Sequence, residues 1–139
     1  MSLETHTGSC HCGAIRFEAD IDLDLGSNRC NCSYCAKARA WFAFAKGPES
    51  LRLLDGSGVA EYRWTPPGWA QANLAYTFCR VCGIRTFARG ELASLGGIFH
   101  AVHVPTLDLT PERRAAIPVH YLNGRDGRYD EVPEHTAGL

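Results

Sequence analysis

No apolar run in this chain approaches the roughly 18 residues of a membrane-spanning helix. Neither sign of charge is in excess, since 14 Lys plus Arg stand against 15 Asp plus Glu, a formal net charge of -1. The first absence excludes a helical span. The second removes the general attraction that draws basic proteins to nucleic acid or anionic lipid, so neither nucleic acid nor membrane is an expected partner. The opening residues, Met-Ser-Leu-Glu-Thr-His-Thr-Gly, lack the basic stretch and apolar run of a secretory leader, and a cytoplasmic location is the expectation. Internal repeats, low-complexity tracts and interdomain linkers are also missing. The 139 residues therefore read as one domain over 1–139 with its core at about 8–122. A domain of about 150 residues buries roughly 68–70% of its unfolded surface, and 45% hydrophobic against 21% charged residues excludes disorder.

An even cysteine count is the last thing lacking. Seven cysteines cannot all pair in internal disulfides, and clustered CxC and CxxC spacings in a chain without an export signal favour metal. Cys30, Cys32 and Cys35 fall within six positions. Cys10, Cys12, Cys79 and Cys82 make up a second set. Zinc with four protein ligands is closed and structural, whereas three protein ligands leave a position for water or substrate. The division is then four plus three.

In chain order, Cys10 and Cys12 share a face if the backbone is extended, with His11 turned away. Ile15, Phe17, Ala19 and Ile21 alternate with Arg16, Glu18, Asp20 and Asp22, a half-exposed strand. Ser33 or Asn31 is placed to cap a short helix through Ala38, and Cys35 in its first turn would have a lowered pKa. Trp41 to Phe44 reads as a buried strand. Antiparallel strands follow at Leu51 to Leu54, Val59 to Trp64 and Ala70 to Phe78. Cys79-Arg80-Val81-Cys82-Gly83 has the composition of a zinc knuckle at a hairpin tip, where Gly lets the backbone turn back. Ile98 to Val104 is a strand with apolar residues on both faces. Thr110-Pro111-Glu112 signals a helix start, Ile117 to Leu122 a last strand, and the residues beyond Asn123-Gly124-Arg125-Asp126-Gly127 a polar surface loop.

The closed set would tie the first strand to a central hairpin. The open set can hold a metal with a vacant corner, and zinc there lowers the pKa of a bound thiol or polarises a carbonyl. A second structural zinc completed by histidine and a reversible disulfide within the triplet are the alternatives.

Gly8-Ser9-Cys10-His11-Cys12-Gly13, Cys30-Asn31-Cys32-Ser33-Tyr34-Cys35, Phe78-Cys79-Arg80-Val81-Cys82-Gly83 and Leu107-Asp108 occur in this order. The chain thereby resembles the glutathione-dependent formaldehyde-activating enzyme family. The resemblance implies a mainly β, tent-like fold of small antiparallel sheets stapled by zinc, with one or two short helices. It implies two zinc ions, a structural one on Cys10, Cys12, Cys79 and Cys82 and a catalytic one on Cys30, Cys32 and Cys35. The implied activity is that of a carbon–sulfur lyase, S-(hydroxymethyl)glutathione synthase, with glutathione as co-substrate and a small-molecule thiol and aldehyde as partners. Members commonly carry Arg-Lys after the third catalytic cysteine, where this chain has Ala36-Lys37-Ala38-Arg39, and many have Asn at the place of His103. A non-enzymatic zinc-binding interaction module, as in a related branch associated with chromatin, and a thiol redox switch are the competing functions.

Lys37 and Arg39 stand close enough to the triplet to pair with substrate carboxylates, and they equally fit plain exposed helix charges. Trp41 and Phe42 are read as core before pocket wall, and His100 and His103 as core histidines on opposite faces of one strand before proton carriers. His11 is a candidate to approach the triplet. Arg80 and Arg85 would offset the negative charge of the four-cysteine site.

Overall fold

The structure is a computed structural model describing residues 2–139, which fold into ten strands and two short α-helices. The alternating stretch is β2 (Arg16–Asp22), which pairs antiparallel with β1 (Leu3–Ser9) on one side and β5 (Leu51–Asp55) on the other. These three strands form a small sheet. The remaining strands are β3 (Ser27–Cys30), β4 (Phe42–Lys46), β6 (Val59–Tyr62), β7 (Leu74–Cys79), β8 (Arg85–Leu92), β9 (Gly97–His103) and β10 (Val119–Leu122). They form a second sheet in the order β10-β3-β4-β9-β8-β7-β6. The fold is mainly β, as expected, but the second sheet is seven-stranded and its β10–β3 pair runs parallel. Among the described residues no helix is long and apolar enough to cross a membrane.

The two-residue period of β2 aims Phe17, Ala19 and Ile21 at the large sheet, where they pack with Ala43, Ala45, Phe87 and Val102. Alanines at 43 and 45 let the small sheet approach closely, and Phe17 meets Phe87 edge to face with centroids 5.6 Å apart. The opposite phase of the large sheet carries Phe42, Phe44, Tyr76, Ala88, Phe99 and Ala101, a second apolar face. Helix α1 (Ser33–Ala38) covers part of it through Tyr34, stacked on Tyr76 at 3.8 Å. Helix α2 (Pro111–Ala115) begins where Thr110, proline and glutamate predict, the Thr110 hydroxyl accepting from the Arg113 N–H.

Three expectations need correction. The stretch Leu51 to Leu54 does not join the strands that follow it. It pairs with β2, where Arg52 meets Glu18 at 2.8 Å and Asp20 at 2.9 Å across the strands. Residues 70–73 are not strand, because the Pro66-Pro67-Gly68 turn, with the Trp69 N–H bonded to the Pro66 carbonyl, delivers the chain to β8 only at Leu74. Cys10 and Cys12 lie outside β1, in a loop closed by the Cys10 N–H to Ile15 carbonyl bond of 3.1 Å.

Phe17 is fully buried, so Phe17→Ala should cost about 3–5 kcal/mol in denaturant unfolding. Arg52, with help from Thr5, holds Asp20 down to about 2. A folded-state pKa below the ~3.9 of an unfolded Asp stabilises fully above pH ~4 and is lost as pH falls toward 2. Arg52→Ala should flatten this acid limb in melting temperatures taken across that range, by a small amount because both side chains are about a third exposed.

Candidate metal centres

Two loops build the first centre. The turn after β7 repeats the amide geometry of a knuckle: the N–H groups of Val81 and Cys82 point at Cys79 Sγ at 3.4 and 3.5 Å, and the Gly83 N–H closes the turn on the Cys79 carbonyl. Gly83 sits at φ 79°, a conformation that glycine adopts freely. The loop after β1 supplies Cys10, whose sulfur accepts from the Ile15 N–H at 3.3 Å, and Cys12. The sulfurs of Cys10, Cys12, Cys79 and Cys82 all lie within 4.8 Å of one another. Cys12 Sγ is 3.7 Å from Cys10 Sγ and 3.6 Å from Cys79 Sγ. A tetrahedron with zinc–sulfur bonds of about 2.3 Å has edges of about 3.8 Å, so this donor set fits zinc. The amides of Ile84 and then Cys12 hold Cys82 down to about 6, and the Cys82 amide lowers Cys79, whereas Cys12, despite the Ala14 amide, is pushed up to about 11. Gly58 lies against the cluster, and a Cβ there would come within 2.9 Å of Cys79 Sγ.

The second centre gathers Cys30, at the end of β3, with Cys32 and Cys35, and these three sulfurs also lie within 4.8 Å of one another. The capping expectation fails here in an informative way. Neither Ser33 nor Asn31 caps α1; Cys32 does, its sulfur accepting from the Cys35 N–H at 3.4 Å. The pKa expectation fails too. Cys30 and then Cys32 push the Cys35 thiol up, and burial adds to this. Sharing protons among three adjacent sulfurs outweighs a helix end worth about 0.3–1 kcal/mol. Cys30 is held low by hydrogen bonds from Cys32 and Cys35 and by the amides of Cys32 and Gly124. Both cysteine groups can hold a metal ion.

Another face of α1 walls a cleft of about 620 Å³ lined by Tyr34, Lys37, Tyr62, Trp64, Phe78 and Arg85. Arg85 donates to the Tyr34 hydroxyl at 3.2 Å and lies over its ring. It therefore faces the cleft and not the four-cysteine cluster, where Arg80 instead bonds the Gly58 and Val59 carbonyls. Lys37 lines the cleft. Arg39 does not; it ends α1 in a left-handed conformation with φ 52°. Trp41 packs on the core with its indole N–H on Ser27 Oγ. His100 is a satisfied core histidine, bonded to Ser50 at 3.0 Å and Arg89 at 3.3 Å and lowered to about 4 by burial and Arg89. His103 is lowered by burial and bonds the Arg85 carbonyl through Nδ1. His11 lines a different cleft, beside Cys12, Arg16 and Asp108.

Sequence reasoning missed Tyr62, Trp64 and the whole 123–129 segment. That segment is not a loose surface loop: Asn123 is buried, and Gly124 presses on Cys30 so closely that a Cβ would overlap Sγ. The signal lay in Asn123-Gly124 following a strand directly.

A crystal structure of a Rhodobacter sphaeroides protein superposes with a TM-score of 0.64 at 27% identity, covering 82% of this chain and 99% of that one. The model of one family, described as glutathione-dependent formaldehyde-activating enzyme, matches residues 5–121. That span takes in all seven cysteines and both centres, and the chain belongs to this family.

Proposed function

We propose that the chain is a zinc-dependent carbon–sulfur lyase that joins a small thiol, glutathione or a relative of it, to an aldehyde, or cleaves the adduct. The observation that carries this reading is the convergence of three sulfurs without a fourth cysteine, at the start of the helix that also walls an aromatic, cationic cleft. Cys30, Cys32 and Cys35 would hold a catalytic zinc, and Cys10, Cys12, Cys79 and Cys82 a structural one. Bound zinc supplies a lowered thiol pKa and carbonyl polarisation at its remaining position.

The chain's own residues do the rest. Lys37 and Arg85 offer a point charge and a planar fork to the carboxylates of a glutathione-like thiol. Tyr62, Trp64 and Phe78 cover its apolar stem and exclude water. The chemistry balances without an oxidant: a carbon–sulfur bond forms as the carbonyl π bond breaks, and the thiol proton ends on the former carbonyl oxygen. The near-neutral charge supports this reading over a chromatin-binding module.

Elemental analysis of protein purified under reducing conditions should find two zinc ions per chain. One zinc beside an oxidised triplet would make the triplet a redox switch instead. Cys30→Ser, Cys32→Ser and Cys35→Ser should each lower adduct formation by more than the roughly 10–100-fold of outer-shell changes while the protein stays folded; full activity in all three ends the proposal. Cys79→Ser should drop the melting temperature by more than about 10 °C, because structural zinc contributes about 10–16 kcal/mol and a domain's net stability is about 5–15 kcal/mol.

A further inference from the structure

Asn31 stands between two of the triplet cysteines and bonds none of them. Its backbone N–H extends the parallel pairing, donating to the Leu122 carbonyl at 3.1 Å. Its side chain does the remainder: Nδ2 donates to Asn123 Oδ1 at 3.0 Å, and Oδ1 accepts from the Arg125 N–H at 2.9 Å. Asn123 is buried, and its own Nδ2 donates to Asp126 at 3.1 Å. The Asn123 backbone is bonded on both sides, to the Glu131 carbonyl and from the Arg128 N–H. The turn so fixed contains Gly124, whose missing side chain is the space that Cys30 Sγ and Cys32 Cβ occupy.

We infer that Asn31 and Gly124 are positioning residues of the triplet: the Asn31 carboxamide clamps the Asn123–Gly124 turn against Cys30 and thereby fixes where that sulfur points. This rests on the reading of the triplet as a metal site. The clamp takes both ends of one carboxamide, one as donor and one as acceptor, which no apolar or singly functional side chain of that size reproduces. A sulfur on a four-residue strand end, held by its own β-carbon alone, has free rotamers. The Gly124 backbone removes them, as outer-shell groups do for metal ligands generally.

The test uses the full chain and zinc or cobalt alone as probe. Asn31→Ala and Gly124→Ala should each weaken the second zinc equivalent roughly 10–100-fold in chelator competition and alter the sulfur-to-cobalt charge-transfer bands of that equivalent. The first equivalent and the melting temperature of the four-cysteine scaffold should stay near wild type. Wild-type affinity and an unchanged cobalt spectrum for both variants overturn the clamp while leaving the metal site standing. Loss of the first equivalent as well, with a melting drop like that of Cys79→Ser, makes the role one of folding and overturns positioning. A wild-type chain that binds one equivalent only overturns the metal reading and the clamp together.

Discussion

Four sulfurs from two loops, Cys12 and Cys79 being 67 residues apart, are brought within 4.8 Å of one another. Such a cluster is a constraint before it is an interaction. Without a cation the sulfurs compete for protons, and with one they become mutual neighbours of a single charge. The strands that lead into and out of both loops hang from this point. The knuckle terminates β7 and starts β8, and the other loop delivers β2 across the apolar face of the same sheet. Phe17 can meet Phe87 because both ends of that arrangement are anchored.

Helix α1 rides on the opposite face of the large sheet, where Tyr34 stacks on Tyr76 and lies near Tyr62 at 6.0 Å. One helix therefore does two things. Its first turn carries Cys32 and Cys35, and Tyr34 and Lys37 form a wall of the cleft.

Much of this was legible in the residues themselves. Period-two alternation from Ile15 announced β2, Thr110-Pro111-Glu112 announced α2, and the CxxC-Gly spacing announced the hairpin tip. These signals are local, each set by backbone geometry within a few positions. What could not be read depends on partners far along the chain. β5 joins the small sheet by pairing with β2, where Arg52 meets Glu18 and Asp20, and β10 lies parallel to β3 across a long connection. Side-chain type says little about which edge a strand will meet. The Cys32 cap was hidden for another reason: cysteine is not a usual cap, and its sulfur takes that place only because the triplet already fixes it. The polarity of residues 123–129 suggested a solvated loop, yet polar side chains also fill a wall when they satisfy one another, as Asn31 and Asn123 do.

The parallel pairing of β10 with β3 sets an order of assembly. A chain emerging from the ribosome has all four sulfurs of the first cluster once Cys82 is free, and the triplet has been out since Cys35. Yet the turn that abuts Cys30 is made of residues 123–131, which follow Cys82 in the chain. The four-sulfur centre therefore has all its donors earlier in synthesis than the second centre has the turn that encloses Cys30.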